Sequence, residues 1–540
     1  MSFEIVNKDL LARIGRFETK SGVMETPLLF PVINPSIQPI SPKKLEEEFG
    51  CTALITNAYI INNNFKETAT EKGLHKFLNF NGSIMTDSGA YQLLIYKGVE
   101  TNPLEIVQFQ EAIDADIATI LDIPTGWGVS KEYAQYTVKE TIKRAKALEK
   151  MKSRDDLAWV GPVQGGQYLD LVAKSAKAMG KLPFQVHALG SPTPVMEQYK
   201  FDVLVDMIIT AKMNLPPERP LHLFGAGHPF MFSLAVALGC DLFDSAAYAL
   251  FAREDRYLTE SGTVRLEEMD YLPCSCPACN KRDPETLRAL PKEERQKLLA
   301  EHNLYVSFCE LRRIKQAITE GRLWEHMEMR AHAHPSLLQA LKKVKKYSKY
   351  IEQHSPITKK SGIFFFSSLG LARPEVVHYR QRLADRYSPP AKARVLLLLP
   401  QPRKKPFHSS KEHEAATKEL EQTLGDKIRL VHVCTYGAPF GVVPTELDDV
   451  YPVSQNIIAS PFDHGTVTYV AKQVTDYITK TSYEQVIMLG DPNVWKRRVL
   501  AACRRACKKK QVPFKALQEQ DPWAKSTLEQ LAKLTCEAVI

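Results

Sequence analysis

Cys274, Cys276 and Cys279 put three thiols within six residues, and the next histidine, His302, follows twenty-three positions later. Four soft nitrogen and sulfur donors at this spacing suit a closed tetrahedral Zn²⁺ site, one ion with no position left for water or substrate, and therefore structural. Three unrelated buried thiols are the plain alternative, but such tight clustering in a chain of 10 cysteines argues against it. The cluster staples a fold, so the chemistry must lie elsewhere. Asp87 in TDSGAYQ and Asp244 in LFDSAAY each follow an apolar run in a small-residue setting. Two carboxylates brought to one pocket can divide labour, one attacking covalently while the other carries protons. That division suits substitution at an anomeric carbon through an oxocarbenium-like transition state, and glycosidases use it as well. A chance pair of helix-capping aspartates is the competing reading of these two residues alone.

The elements that must position such residues follow from periodicity. Up to about residue 345, short β-rich apolar segments alternate with amphipathic helical ones such as KEYAQYTVKETIKRAKALEKM. The strand segments include CTALITNAYII, NGSIMTDSG, IATILDIP, LAWVGPVQGG, LPFQVHAL, RPLHLFGAG and GCDLFDSA. Strand-then-helix repetition predicts a parallel sheet covered by helices, and the number of repeats favours a closed (β/α)₈ barrel of TIM type. Active sites of such barrels lie at the carboxyl ends of the strands. Asp87-Ser88, Asp122, Gln164-Gly165-Gly166, His228 and Asp244 stand at those ends. Helix capping accounts for Ser88 or Asp122 singly, but not for so many strands ending in carboxylates and amides.

The cysteine loop interrupts this pattern after the turn-like stretch Asp270 to Pro273, and PKEERQKLLAEHNLYVSFCELRRIKQAITEG places His302 on a helix beside it. The α/β reading therefore has a barrel with an inserted metal-binding subdomain over residues 1–345, with the metal site at 274–302. A connecting region is expected over 346–392, and a separate α/β domain, opened by the buried strand ARVLLLLP, over 393–540. At 540 residues the chain is too long for one ordinary core. No apolar run of about eighteen residues exists, which argues against a membrane span. The start lacks a signal-peptide pattern, and the remaining cysteines are scattered, so a cytoplasmic setting is expected. Net charge is +9, concentrated in KRRVLAACRRACKKK. There Lys496, Arg497, Arg498, Arg504, Arg505, Lys508, Lys509 and Lys510 flank an apolar stripe, giving either a phosphate-facing helix or a solvated surface one.

The stretches GRFETKSGVMETPLLFPVINP, TDSGAYQ, VQGG, HLFGAGHP, GCDLFDSA and CSCPAC…EHN, in this order, resemble the tRNA-guanine transglycosylase family, in its archaeosine-type branch. The likeness covers roughly residues 5–345. The C-terminal region resembles the auxiliary domain of archaeosine-type enzymes and of archaeosine synthases. AYALFAREDRYLT after LFDSA, in place of the Pro-Thr-Arg loop of bacterial enzymes, favours the archaeal branch. The resemblance implies that Asp244 is the nucleophile attacking C1′ of the target nucleoside and Asp87 the general acid/base. It implies that Asp122 and Gln164 hydrogen-bond the edge of the base with Ser88 beside them, that Tyr91 stacks on it, and that Gly165, Gly166 and the backbone of Ala188, Leu189 and Gly190 wall the pocket. Cys274, Cys276, Cys279 and His302 match the zinc ligands.

By the same resemblance the reaction replaces guanine at position 15 of the tRNA D-loop by 7-cyano-7-deazaguanine (preQ0), in archaeosine biosynthesis, with tRNA and the free base as partners. Such enzymes commonly end in a small RNA-binding PUA barrel, whereas DPWAKSTLEQLAKLTCEAVI reads as helical, so a separate PUA protein acting in trans is expected. Homodimerisation is common in the family. Two rival readings are an archaeosine synthase-like enzyme acting on preQ0-tRNA and a non-catalytic RNA-binding partner subunit. The intact Asp87 and Asp244 weigh against both.

Overall fold

Eight short strands, each buried along nearly its whole length, form the centre of the first unit. They are β4 (Leu28–Ile33), β5 (Ala53–Asn57), β6 (Ser83–Asp87), β7 (Ile117–Thr119), β8 (Ala158–Val163), β9 (Val186–Leu189), β10 (Leu221–Leu223) and β11 (Leu242–Ser245). All neighbours pair in parallel, and β11 closes on β4 to complete the barrel. The computed structural model describes residues 2–90, 102–495 and 497–540. The chain divides into two compact units, Met1–Tyr347 and Ser348–Ile540.

Parallel strands covered on both faces read as near-continuous apolar runs, which is why β5 and β8 show no alternation in burial. Alternation survives in direction. Phe30, Ala53, Ile55, Met85, Ile117, Ala158, Val160, Val186, Ala188 and Leu242 form one interior cluster. The outer face packs on helices such as Lys131–Met151, whose Ala134, Val138, Thr141, Ala145 and Leu148 are buried at helical spacing. Ser130 caps that helix by accepting a hydrogen bond from the Tyr133 N–H.

An antiparallel sheet of β1 (Phe3–Asp9), β2 (Ala12–Thr19) and β3 (Gly22–Thr26) closes the amino end of the barrel. Its Phe17 and Met24 join the interior cluster. Thr19 Oγ1 lies 2.7 Å from Ser83 Oγ at the start of β6. The Arg13 guanidinium forks onto Asp241 just before β11, donating from Nε at 2.9 Å and from Nη2. With that end covered, the carboxyl ends of the strands are where a ligand is expected.

The hairpin β12 (Arg256–Thr259) and β13 (Gly262–Arg265) precedes the cysteine loop and the long helix Lys292–Glu320. Asn303 on that helix accepts from the Leu258 N–H at 2.8 Å and donates to the carbonyls of Tyr248 and Arg256. Tyr248 in turn donates its hydroxyl to the Val32 carbonyl in β4. The helix behind Asp244, Ala247–Arg253, is thereby tied to the inserted subdomain.

The second unit is an α/β fold. β15 (Val395–Pro400) lies at the centre of a five-stranded sheet with β16 (Val431–Gly437), β17 (Gly441–Pro444), β19 (Gln485–Gly490) and β20 (Phe514–Gln518), in the order β17-β16-β15-β19-β20. Leu396 and Leu398 face helices His464–Lys480 and Arg498–Lys510, while Val395, Leu397 and Leu399 face Lys411–Leu424 and Lys525–Ala538. Both sheet faces are covered, so ARVLLLLP carries apolar residues at every step. Residues 348–392, within the expected connecting region, are folded into this unit instead. They hold helices Ser348–His354 and Pro374–Asp385 and the strand β14 (Ile363–Phe365), which pairs with β18 (Asn456–Ile458). Ile363, Phe365, Val376 and Tyr379 pack with Phe407, Phe440, Val443 and Val453, so this part of the chain contributes to the core of the second unit. No helix among the described residues is long and apolar enough to cross a membrane.

Candidate active site

Asp87 ends β6, and its carboxylate Oδ2 accepts a hydrogen bond from Asn57 Nδ2, at the end of the neighbouring β5, at 2.8 Å. Asn57 also caps the helix that follows it, its Oδ1 accepting from the Ile60 N–H. Burial is the main cause that pushes the Asp87 carboxyl up to about 7, helped by the negative charges of Asp122 and Asp244. Each of these two carboxylates therefore faces Asp87 closely enough to shift its protonation. An acid poised near neutrality can both give and take a proton at physiological pH. Beside it, the buried Ser88 hydroxyl has no hydrogen-bond partner among the described residues.

Asp122 follows β7, and its carboxylate accepts from Gln164 Nε2 at 2.5 Å. Burial raises the Asp122 carboxyl to about 6, with the Gln164 hydrogen bond pulling the other way. Gln164 Oε1 accepts from the Thr125 N–H and hydroxyl, each at 3.0 Å, and from Ser191 Oγ at 3.1 Å. The amide is thus fixed in one orientation with its NH₂ end turned to Asp122. Gly190, after β9, makes room for it, since a Cβ there would lie 2.2 Å from Gln164 Nε2. Gly165 sits at φ +137°, with its missing side chain filled by the backbone of Val172.

Asp244, third residue of β11, has one oxygen fully engaged. Its Oδ1 accepts from His222 Nε2 at 2.8 Å and from the Gly225 N–H at 2.9 Å. Its Oδ2 accepts no hydrogen bond among the described residues, and the side chain is 15 % exposed at the barrel mouth. The register that pairs Asp244 with Phe30 and Leu242 with His222 sets all four on the inner face.

The barrel therefore brings Asp87, Ser88, Asp122, Gln164, Gly165, Gly190 and Asp244 to its carboxyl end. Gly166, in the left-handed region, packs on Thr125 and the Gly126 carbonyl, and Ala188 belongs to the interior cluster just below. Leu189 is buried, but alternation turns its side chain to the outer face. His228 is not among these side chains; it packs against Phe230, and burial lowers its imidazole to about 3. Tyr91 and Lys496 lie outside the described residues. Sequence reasoning missed Asn57, Thr125, Ser191 and His222. Asn57 reads as an ordinary helix cap, and His222 is hidden within the apolar run of HLF. The signal that finds them is strand register, which places them on the same inward face or rim as the carboxylates.

In the inserted subdomain the ligand atoms of Cys274, Cys276, Cys279 and His302 all lie within 4.8 Å of one another. His302 Nδ1 is 3.5 Å from Cys276 Sγ and 3.3 Å from Cys279 Sγ, and its Nε2 donates to the Leu258 carbonyl at 2.8 Å. That outer hydrogen bond fixes the tautomer that leaves Nδ1 free to coordinate. Tyr257 stacks on the imidazole with ring centroids 3.6 Å apart. The donor set and its support fit a metal ion.

In the second unit the helix Arg498–Lys510 buries Val499, Leu500, Ala502, Cys503, Ala506 and Cys507. Arg497, Arg498, Arg504, Arg505, Lys508 and Lys509 are exposed. Lys510 differs. Its ammonium donates to the carbonyls of Ile478 and Thr481, which ties the helix C-terminus to its neighbour. Arg498 is also engaged, donating to Thr468 Oγ1 and contacting His464.

A closed parallel barrel with paired acids at its mouth and a Cys₃His insertion has a counterpart among known families. The profile described as queuine tRNA-ribosyltransferase matches residues 8–336. The chain belongs to this family. A second profile, described only as a domain of unknown function, matches residues 376–534. Within the ribosyltransferase family, the chain is 45% identical to the tRNA-guanine(15) transglycosylase of Methanocaldococcus jannaschii, over 86% of this chain and 70% of that protein. It is 45% identical to the protein of the same name from Pyrobaculum aerophilum, over 84% of this chain and 90% of that one. Identity to the Methanosarcina mazei protein is 44%, over 85% and 88% respectively.

Proposed function

We propose that this chain exchanges guanine at position 15 of tRNA for a free 7-deazaguanine base, preQ0, through a covalent enzyme–tRNA intermediate. The observation that carries this reading is the acid arrangement. Asp244 has one oxygen clamped and the other open, and it faces an Asp87 whose carboxyl is poised near neutrality. Asp244 attacks C1′ while protonated Asp87 supplies the proton that lets guanine depart as a neutral base. The resulting Asp87 carboxylate then takes the proton of the incoming base as that base attacks C1′. Asp122 accepts from the N–H donors of the guanine edge, and Gln164 presents its amide N–H to the carbonyl. Guanine and preQ0 share this edge, so the same residues serve both. A base still stacked in RNA cannot be reached, so the nucleotide must be extruded into the barrel mouth.

The metal bound by Cys274, Cys276, Cys279 and His302 is zinc, one ion per chain and structural, because three thiolates and an imidazole fill a tetrahedral shell. It stabilises the subdomain that braces the helix behind Asp244 and takes no part in the chemistry. The unit Met1–Tyr347 is the catalytic domain and the unit Ser348–Ile540 an auxiliary domain. The exposed cations Arg497, Arg504, Arg505, Lys508 and Lys509 of the auxiliary domain meet tRNA phosphates. A cytoplasmic location suits a tRNA substrate and unpaired cysteines.

The test uses purified enzyme, tRNA transcript and radiolabelled guanine or preQ0. Label enters the wild-type transcript and not one altered at position 15, and denaturing gels show an enzyme–tRNA adduct that Asp244→Ala lacks. Persistence of the adduct in Asp244→Ala moves the nucleophile elsewhere, and no incorporation of either base rejects the exchange.

A further inference from the structure

We propose that His222 is a positioning residue that selects which oxygen of Asp244 attacks and shortens the life of the covalent intermediate. The inference rests on the base-exchange reading above and deepens it. His222 lies in β10 beside β11, fully buried, with Phe30 stacked on its ring at 5.7 Å and Phe224 packed against it at 4.7 Å. A carboxylate only accepts hydrogen bonds, so the hydrogen in the 2.8 Å contact belongs to His222 Nε2. Nδ1 is buried without a hydrogen-bond partner among the described residues. Carrying hydrogen on both ring nitrogens would strand an N–H there, so the ring holds a single hydrogen, on Nε2. The flanking aromatic rings keep that donor aimed at Oδ1.

Two donors, His222 Nε2 and the Gly225 N–H, converge on Oδ1, and Oδ2 remains open among the described residues. Oδ2 is therefore the oxygen that bonds to C1′ as the C1′–N9 bond breaks. The electron pair of that bond leaves with guanine, which gains the proton of Asp87. Oδ1 becomes the carbonyl oxygen of the glycosyl ester. In the second half the incoming base loses its N9 proton to Asp87 and bonds to C1′. The C1′–Oδ2 electron pair returns to Asp244. A hydrogen bond to a carboxylate is stronger than one to an ester carbonyl. His222 thus favours the free carboxylate over the ester and accelerates breakdown of the adduct.

The decisive comparison is between His222→Phe, which keeps the ring and loses the donor, and His222→Gln, whose amide N–H extends as far as Nε2. Enzyme is incubated with tRNA carrying labelled guanine at position 15, the adduct is quantified on denaturing gels, and free guanine is added to discharge it. In His222→Phe the adduct fraction rises and its discharge slows by about 10²-fold, with KM for tRNA unchanged. His222→Gln recovers most of the rate. Phe and Gln variants that behave alike, whether both as wild type or both inactive, overturn the assignment. Wild-type enzyme that releases no labelled guanine overturns base exchange itself, which separates the two failures.

Discussion

At the scale of single residues, the site is governed by what burial does to carboxylates. Asp87 binds its proton more tightly in the folded chain, at about 7, than at the ordinary value of 3.8. Its contribution to folding is therefore fully present below the unfolded value and is lost as pH rises through about 7, where a buried carboxyl must ionise. The loss is on the order of 4 kcal/mol. Asp87→Asn removes the ionisation while keeping an oxygen for Asn57. Thermal melts should show the variant more stable than wild type at pH 8 and little different at pH 4. An offset independent of pH would mean that Asp87 does not carry its proton in this pocket. Asp87, Asp122, Gln164 and Asp244 were legible because each ends an apolar run with a polar side chain. Asn57 and His222 were not, since one reads as a cap and the other as core. Their roles depend on partners 30 and 22 positions away.

At the scale of elements, small residues and outer hydrogen bonds decide whether polar groups stay aimed. Gly190→Ala places a methyl against the Gln164 amide, which is pinned from the other side by Thr125 and Ser191. The amide must leave Asp122. KM for free guanine should rise by about tenfold or more, at a stability loss of roughly 1–3 kcal/mol. Unchanged KM would show that Gln164 does not read the base. The metal cluster acts over a longer path, from the helix carrying His302 and Asn303 through Tyr248 to β4. Stripping the metal with a chelator should lower the melting temperature and slow exchange together, and adding zinc back should restore both. Full activity after complete removal, checked by elemental analysis, would break that link. The cysteine spacing made this site readable in advance, because its ligands are local. The bracing of the Ala247–Arg253 helix was not readable, because it joins elements of different periodicity.

At the scale of the whole molecule, the basic helix of the second unit is the feature that sequence left balanced between two roles. Its apolar stripe is buried and four cations, Arg504, Arg505, Lys508 and Lys509, point to solvent, whereas Lys510 secures the helix end. Replacing those four by alanine should weaken tRNA binding and flatten the plot of log K against log salt by up to about 0.9 per lost phosphate contact. Lys510→Ala should instead lower the melting temperature and leave the salt slope alone. A slope unaltered by the fourfold change would make the helix a solvated surface.

What the amino-acid sequence determined by itself was local: donor spacing in the cysteine loop, strand and helix periods, and polar residues at strand ends. Those patterns are set by neighbours within a few residues, so they can be read along the chain. Barrel closure, with Leu242–Ser245 pairing onto Leu28–Ile33, belongs to tertiary structure. So do the clamp on Asp244 and the burial that, helped by the charges of Asp122 and Asp244, holds Asp87 near neutrality. Register between distant strands and the solvent exclusion it creates have no local signature, because they exist only once the ring has closed.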